Sequence, residues 1–320
     1  MKRKLKRTTA IFIMAIMVVS SLTMAAYATE DMDSPGVSKM RNMACTRMKE
    51  MSEVKWTLTS DISYYKKATD KDPIKLYASN SNGKITYYGI PYSQIFRESS
   101  LTPNYPDYTI NSGTKNGKFS LKGVDCSSSV AYSWRMANRK FVPNQYDDET
   151  FMKMTLKGSS TKSIYTTQAM LKDATCKTST DFVTSKGNTY TTGTFISLVG
   201  NYGNYAAASS KADFTSDLIN NADYPAGQDI NSAVYSKIRP GDAIIRRIKS
   251  SDNTIISHIQ MVVKVDPDAG KVYCIDQYGT YTGSKTNPND FSCWRNEEYT
   301  FTKLKDLNYI PIKMNKIDNI

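Results

Sequence analysis

Between Ile238 and Gln277 the chain holds three extended apolar runs joined by turn signals, and this stretch limits the possible folds more than any other. Arg239-Pro240-Gly241-Asp242 makes a turn, and Ala243-Ile244-Ile245 follows as an apolar strand. Ser257 to Val265 is a second strand, Asp266-Pro267-Asp268-Ala269-Gly270 a turn, and Lys271 to Gln277 the returning arm. Short runs of β-branched residues between Pro, Gly and Asp clusters are the pattern of an antiparallel hairpin. A last strand is expected near Tyr309-Ile310-Pro311-Ile312. Its proline lacks an N–H for the ladder, so a sheet edge is expected there.

At Gly123-Val124-Asp125-Cys126 the pattern turns helical. Val130, Trp134 and Ala137 recur at spacings of four and three, which predicts a helix from near Cys126 to about Asn138. A second helix is expected from Ser38 to about Lys55, with Met40, Met43, Ala44, Met48 and Met51 as a core-facing stripe. Trp56 to Thr59 starts an extended stretch, Asn80-Ser81-Asn82-Gly83 is a turn, and residues 99–120 read as a loop. Residues 140–230 are rich in Ser, Thr, Asn and Tyr, with weak helical patches near Thr167–Leu171 and Phe214–Ile219. They read as a long insertion. The outline is α+β: one helix carrying Cys126, then an antiparallel sheet carrying His258.

The first residues point to export. Lys2, Arg3, Lys4, Lys6 and Arg7 precede an apolar run from Ile11 to Met24 and the small-residue site Ala26-Tyr27-Ala28. These are the three parts of a secretory signal peptide, with cleavage expected after Ala28. The run is shorter than the roughly 20 apolar residues a membrane-spanning helix needs. A secreted product, extracellular or at the cell wall, is therefore expected, without stable membrane insertion. Of the formal charge of +12, five positive charges sit in this leader, so the remainder is only mildly basic. That suits a polyanionic wall surface or simple solubility. No Arg-rich helix or zinc spacing points to nucleic acid.

The five cysteines are Cys45, Cys126, Cys176, Cys274 and Cys293. An odd number in an exported chain leaves at least one thiol free or paired outside the chain. The other four make two disulfides, or they are buried as small hydrophobes.

Cys126 is the candidate nucleophile. A thiol attacks as thiolate, and the N–H groups and dipole of a helix start favour that anion. The same N–H groups suit a tetrahedral oxyanion, and Asp125 is placed to cap the helix. His258, the sole histidine in 320 residues, is the candidate base. It opens an apolar strand directly after a loop, which puts its ring at a sheet end. A lone histidine without paired carboxylates or Cys spacing is a poor metal set, so neither metal nor cofactor is expected. The end of the returning hairpin arm lies near the start of the His258 strand, so Asp276 or Gln277 is expected to orient the imidazole. The two point to opposite faces, so only one reaches it. Asp276 is preferred, because a carboxylate also stabilises an imidazolium.

These residues carry a resemblance. Asp125-Cys126-Ser127-Ser128-Ser129-Val130 resembles the nucleophile motif of the NlpC/P60 cysteine peptidases, and Tyr88-Gly89-Ile90-Pro91-Tyr92 resembles their Gly-x-Pro-Tyr segment. Arg239-Pro240-Gly241-Asp242 and Ser257-His258-Ile259 look like the Pro-Gly-Asp and Gly-His-Val strands of NlpC/P60 and the related CHAP amidases. The resemblance covers about residues 85–138 and 236–312, with the pieces in the family's order. It implies a papain-like fold and hydrolysis of amide bonds in peptidoglycan stem peptides. It implies that Tyr92 lines the site near the thiolate, and it adds Asp125, Ser127 and Ser257 as substrate-side residues. Ser128 and Ser257 stand where the family has Gly, and 132 residues separate Cys126 from His258, a long interval for the family. The implied organisation is a signal peptide over 1–28, an N-terminal helical extension over 29–84, and a catalytic domain over 85–320 interrupted at about 140–230.

Two other functions fit these residues. The polar insertion suits a non-catalytic wall- or carbohydrate-binding protein on the same fold. The Cys–His–Asp set also serves related acyl transfer, as in a transglutaminase.

Overall fold

A computed structural model describes residues 35–81, 83–97, 112–141, 155–156, 166–175, 181–183, 189–191, 196–203, 213–284 and 287–315. The expected leader, with its cleavage point at Ala28, lies outside the described residues, as does Cys176.

Helix α1 (Pro35–Glu53) begins on a proline, whose fixed φ suits the first helical position. Met40, Ala44, Met48 and Met51 are fully buried, so the Met stripe is its core face. Helix α2 (Cys126–Phe141) buries Val130, Ala131, Trp134 and Ala137. It packs against α1, and both helices rest on the central hairpin of the main sheet.

That sheet takes eight of the described strands. They are β1 (Lys55–Thr57), β2 (Thr86–Tyr88), β6 (Ile196–Leu198), β7 (Ala243–Lys249), β8 (Ile255–Asp266), β9 (Lys271–Ser284), β10 (Asn287–Thr300) and β11 (Tyr309–Met314). Strands β3 (Phe96–Arg97), β4 (Ser112–Lys115) and β5 (Lys118–Gly123) form a smaller sheet whose last strand leads into α2. The spatial order is β1-β2-β10-β9-β8-β7-β11-β6. Every pair is antiparallel except β2 with β10. The protein is thus α+β around a large, mostly antiparallel sheet.

Four features differ from the sequence expectation. Pro311 is not on an edge, because β11 pairs with β7 on one side and β6 on the other. It is tolerated because β6 stops at Leu198, and beside Pro311 only its carbonyl is used, accepting from the Val199 N–H at 3.0 Å. Residues 112–123 form a hairpin where a loop is expected; its tip is Asn116-Gly117, both at positive φ. Strand β10 is not announced by patterning, since its Asn, Asp and Glu are poor strand formers; a long ladder with β9 holds it. Within residues 140–230, Thr155–Leu156, Asp181–Val183 and Thr189–Thr191 form a separate three-stranded sheet, while other described parts join the main sheet and its cover. Strand β6 extends it, while helices α3 (Thr167–Thr175) and α4 (Thr215–Asn220) pack on it. No described helix is long and apolar enough to cross a membrane.

Candidate active site

Asp125 is the N-cap of α2, and a capping box fixes the helix start. Its Oδ1 accepts from the Ser128 N–H at 2.9 Å, while the Asp125 N–H donates to Ser128 Oγ at 2.8 Å. Ser127 Oγ also donates to Oδ1, at 3.1 Å. The other oxygen, Oδ2, accepts from Arg97 at 2.5 Å in a buried ion pair. Arg97 compensates the carboxylate, so the cap adds little repulsion against an anion at the next residue. That residue is Cys126, 8% exposed, at the first helical position. Unpaired N–H groups and the helix dipole converge there.

Tyr92 reaches the same place through backbone pairing. The Ser93 N–H donates to the Val124 carbonyl at 2.9 Å and the Val124 N–H to the Pro91 carbonyl at 3.0 Å, which lays Tyr92 alongside the residues preceding Cys126. Two tryptophans hold this segment from behind. Trp56 donates to the Gly89 carbonyl and Trp294 to the Ile90 carbonyl, each at 2.8 Å. Gln94 donates to the Tyr92 hydroxyl at 2.8 Å. Burial, then the neighbouring Cys126 and Asp125 charges, raise the Tyr92 pKa, so the phenol stays protonated.

His258 arrives from the sheet. It pairs with Arg246 across β7 and opens onto the cleft near the start of β8. Its Nε2 lies 2.5 Å from Asp276 Oδ2, with Asp276 1% exposed. Cys126 lines the same cleft and lies near enough to favour the charged ring. With Nε2 taken by the carboxylate, Nδ1 is the nitrogen left for sulfur. Burial works against a charged ring, but the hydrogen bond to Asp276 and the neighbouring Cys126 and Asp276 charges outweigh it. The imidazole pKa rises from 6.5 to about 10.

Asp276 is therefore the residue that reaches the imidazole. Gln277 turns the other way, donating to the Ile90 carbonyl at 3.3 Å and to Cys293 Sγ at 3.1 Å. Ser257 shares a 2.5 Å hydrogen bond with Thr167 of α3, which draws the polar 140–230 segment to the cleft. The cleft encloses about 500 Å³ and joins all eight of the residues singled out in the sequence except Asp276, which lies behind His258. It also takes in Lys67, Arg97, Ile255, Ile256 and Tyr278, which local patterning does not mark. Arg97 and Tyr278 come from strands whose neighbours only the fold supplies.

No family model, curated protein or solved structure matches the chain.

The remaining described cysteines do not form disulfides. Cys45, Cys126, Cys274 and Cys293 are all free thiols. Burial pushes Cys45 and Cys293 up to about 12 and Cys274 well above its ordinary value, so all three stay protonated. Two disulfides from five cysteines are thereby excluded, and these three thiols behave as small apolar groups. Among the described residues no group of His, Cys, Asp and Glu is arranged to hold a metal ion.

Proposed function

We propose that this chain is a secreted cysteine hydrolase of the NlpC/P60 kind, papain-like in fold, that cuts amide bonds in peptidoglycan stem peptides. The observation that carries this is the grouping of Asp276, His258 and Cys126: a buried carboxylate 2.5 Å from the sole histidine, whose ring shares one cleft with the Cys126 thiol at a helix start. A helix start, a basic imidazole and an orienting carboxylate are the parts a thiol nucleophile requires. The motif pieces and their order support the family and the wall substrate. The apolar run before Ala28 supports export, and the mild basicity suits a polyanionic wall.

The mechanism starts from thiolate and imidazolium. Sulfur attacks the amide carbonyl, and the oxyanion is held by N–H groups at the start of α2. The C–N bond breaks as His258 gives its proton to the departing amine, leaving a thioester on Cys126. Water then yields a proton to His258 and its oxygen bonds the carbonyl carbon. The C–S bond breaks, a carboxylic acid leaves, and the ion pair is restored.

The test is muropeptide release from purified sacculi, followed by mass spectrometry. Cys126→Ala and His258→Ala are each expected to lower it by about a thousandfold or more. Undiminished release by either variant rules out this mechanism.

A further inference from the structure

Among the described residues, the large hydrophobic side chains left exposed are Ile255, Ile256 and Tyr278, at 50%, 39% and 47%. All three line the one cleft that holds Cys126 and His258. Ile255 and Ile256 open β8 just before Ser257 and His258. Tyr278 stands edge-on to the imidazole, with ring centroids 5.8 Å apart at 81°. Its other contact is the Arg295 guanidinium, 3.4 Å over the ring, which holds the aromatic in place. An exposed apolar group gathered in one concave site, with a braced aromatic, is a binding surface and not incidental exposure.

We infer that Ile255, Ile256 and Tyr278 form a specificity subsite for an apolar or long aliphatic side chain on the amine-bearing fragment of the substrate. The assignment to that fragment rests on the hydrolase proposal and on one chemical requirement. His258 delivers the proton to the leaving nitrogen, so that nitrogen lies beside the imidazole, and what is attached to it extends over the residues that flank His258. Beyond Ser257, which is tied to Thr167, the cleft residues on that side are the apolar Ile255, Ile256 and Tyr278. The cations of the cleft, Lys67 and Arg97, come from other segments, and Arg97 is tied to Asp125 next to Cys126. A fragment with a short polar side chain would leave the two isoleucines in water and gain nothing from them.

Product-like amines test this without requiring turnover. Phenylalaninamide, leucinamide and glycinamide are each titrated as protectants of Cys126 against iodoacetamide, in the wild type and in Ile255→Ser/Ile256→Ser. In the wild type the two apolar amides are expected to protect at concentrations about tenfold or more below glycinamide, the discrimination a partly enclosed apolar site provides. In the serine variant the three amides are expected to agree within about twofold. Ile255→Val/Ile256→Val is expected to restore most of the selectivity, which separates lost apolar contact from a disturbed strand. Equal protection by all three amides in the wild type, or unchanged selectivity in the serine variant, overturns the inference. Sacculus digestion distinguishes this failure from that of the hydrolase proposal: release without amide selectivity removes the subsite alone, while selective protection without release removes only the hydrolytic role.

Discussion

His258 is where single residues decide most. Its imidazole is held protonated by Asp276 and Cys126, with a pKa near 10. As the only histidine, it gives one resolvable imidazole signal in NMR. That signal is expected to titrate with a midpoint near pH 10 in the wild type, and well below it in Cys126→Ala and Asp276→Asn. A wild-type midpoint near 6.5 would dissolve this grouping. The same shift links charge to stability. The folded-state value is above the unfolded 6.5, so the stabilisation is complete below pH 6.5 and is lost as pH rises through about 10. Asp276→Asn should therefore lower the urea midpoint at pH 6 and approach the wild type above pH 10. The two ends of the grouping are legible from the sequence, because a helix start and a strand start are local patterns. Whether Asp276 or Gln277 faces the ring depends on how β9 pairs with β8, which alternation narrows to two residues without choosing.

At the scale of elements, the start of α2 and the irregular stretch of β9 after Gln277 shape the cleft from two sides. Asp125 serves both as cap and as partner of Arg97. Asp125→Asn keeps a capping acceptor and loses the ion pair. Asp125→Ala loses both, adding roughly 1 kcal/mol for the cap to the cost of a stranded Arg97. Urea denaturation should rank the Ala variant as the less stable. The β9–β10 register shifts between Gln277 and Thr282, and within that stretch Gly279 sits at φ +79°, where an added Cβ would lie 2.8 Å from the Tyr92 ring. Gly279→Ala is expected to cost on the order of 1–3 kcal/mol and to displace Tyr92, slowing muropeptide release. The hairpin tipped by Asn116-Gly117 reads as loop in the sequence, because the Ser, Asn, Gly and Pro around it outweigh a dipeptide that is itself a strong hairpin signal. Strand β10 is not legible either, because its polar residues are ordered by the ladder they join.

For the whole molecule, the N-terminal helix is built into the core that carries the candidate site. Arg41 of α1 donates to Asp242 at 2.7 Å and to the Pro240 carbonyl at 3.1 Å, inside the turn that leads into β7. Trp134 of α2 donates to the Gly241 carbonyl of the same turn at 2.7 Å. The three tryptophans all donate to backbone carbonyls, Trp56 and Trp294 in the segment that leads to Tyr92 and Trp134 in the turn before β7. Arg41→Ala strands a buried Asp242 and is expected to destabilise by about 3–5 kcal/mol. Tryptophan fluorescence and Cys126 protection from alkylation should then be lost together in one transition. Separate transitions would show that α1 folds apart from the site.

Local patterns alone set the α+β class, the helix beginning at Cys126, the hairpin bearing His258, and the short list for the third residue. Each follows from periodicity, capping or turn chemistry within about a dozen residues. The tertiary structure decided that the described thiols stay unpaired, that Pro311 lies inside the sheet, that α1 belongs to the core, and that Ile255, Ile256 and Tyr278 remain exposed around the imidazole. These depend on which distant backbones meet and which surfaces are left uncovered, and burial by residues far along the chain leaves no periodic trace in a single sequence.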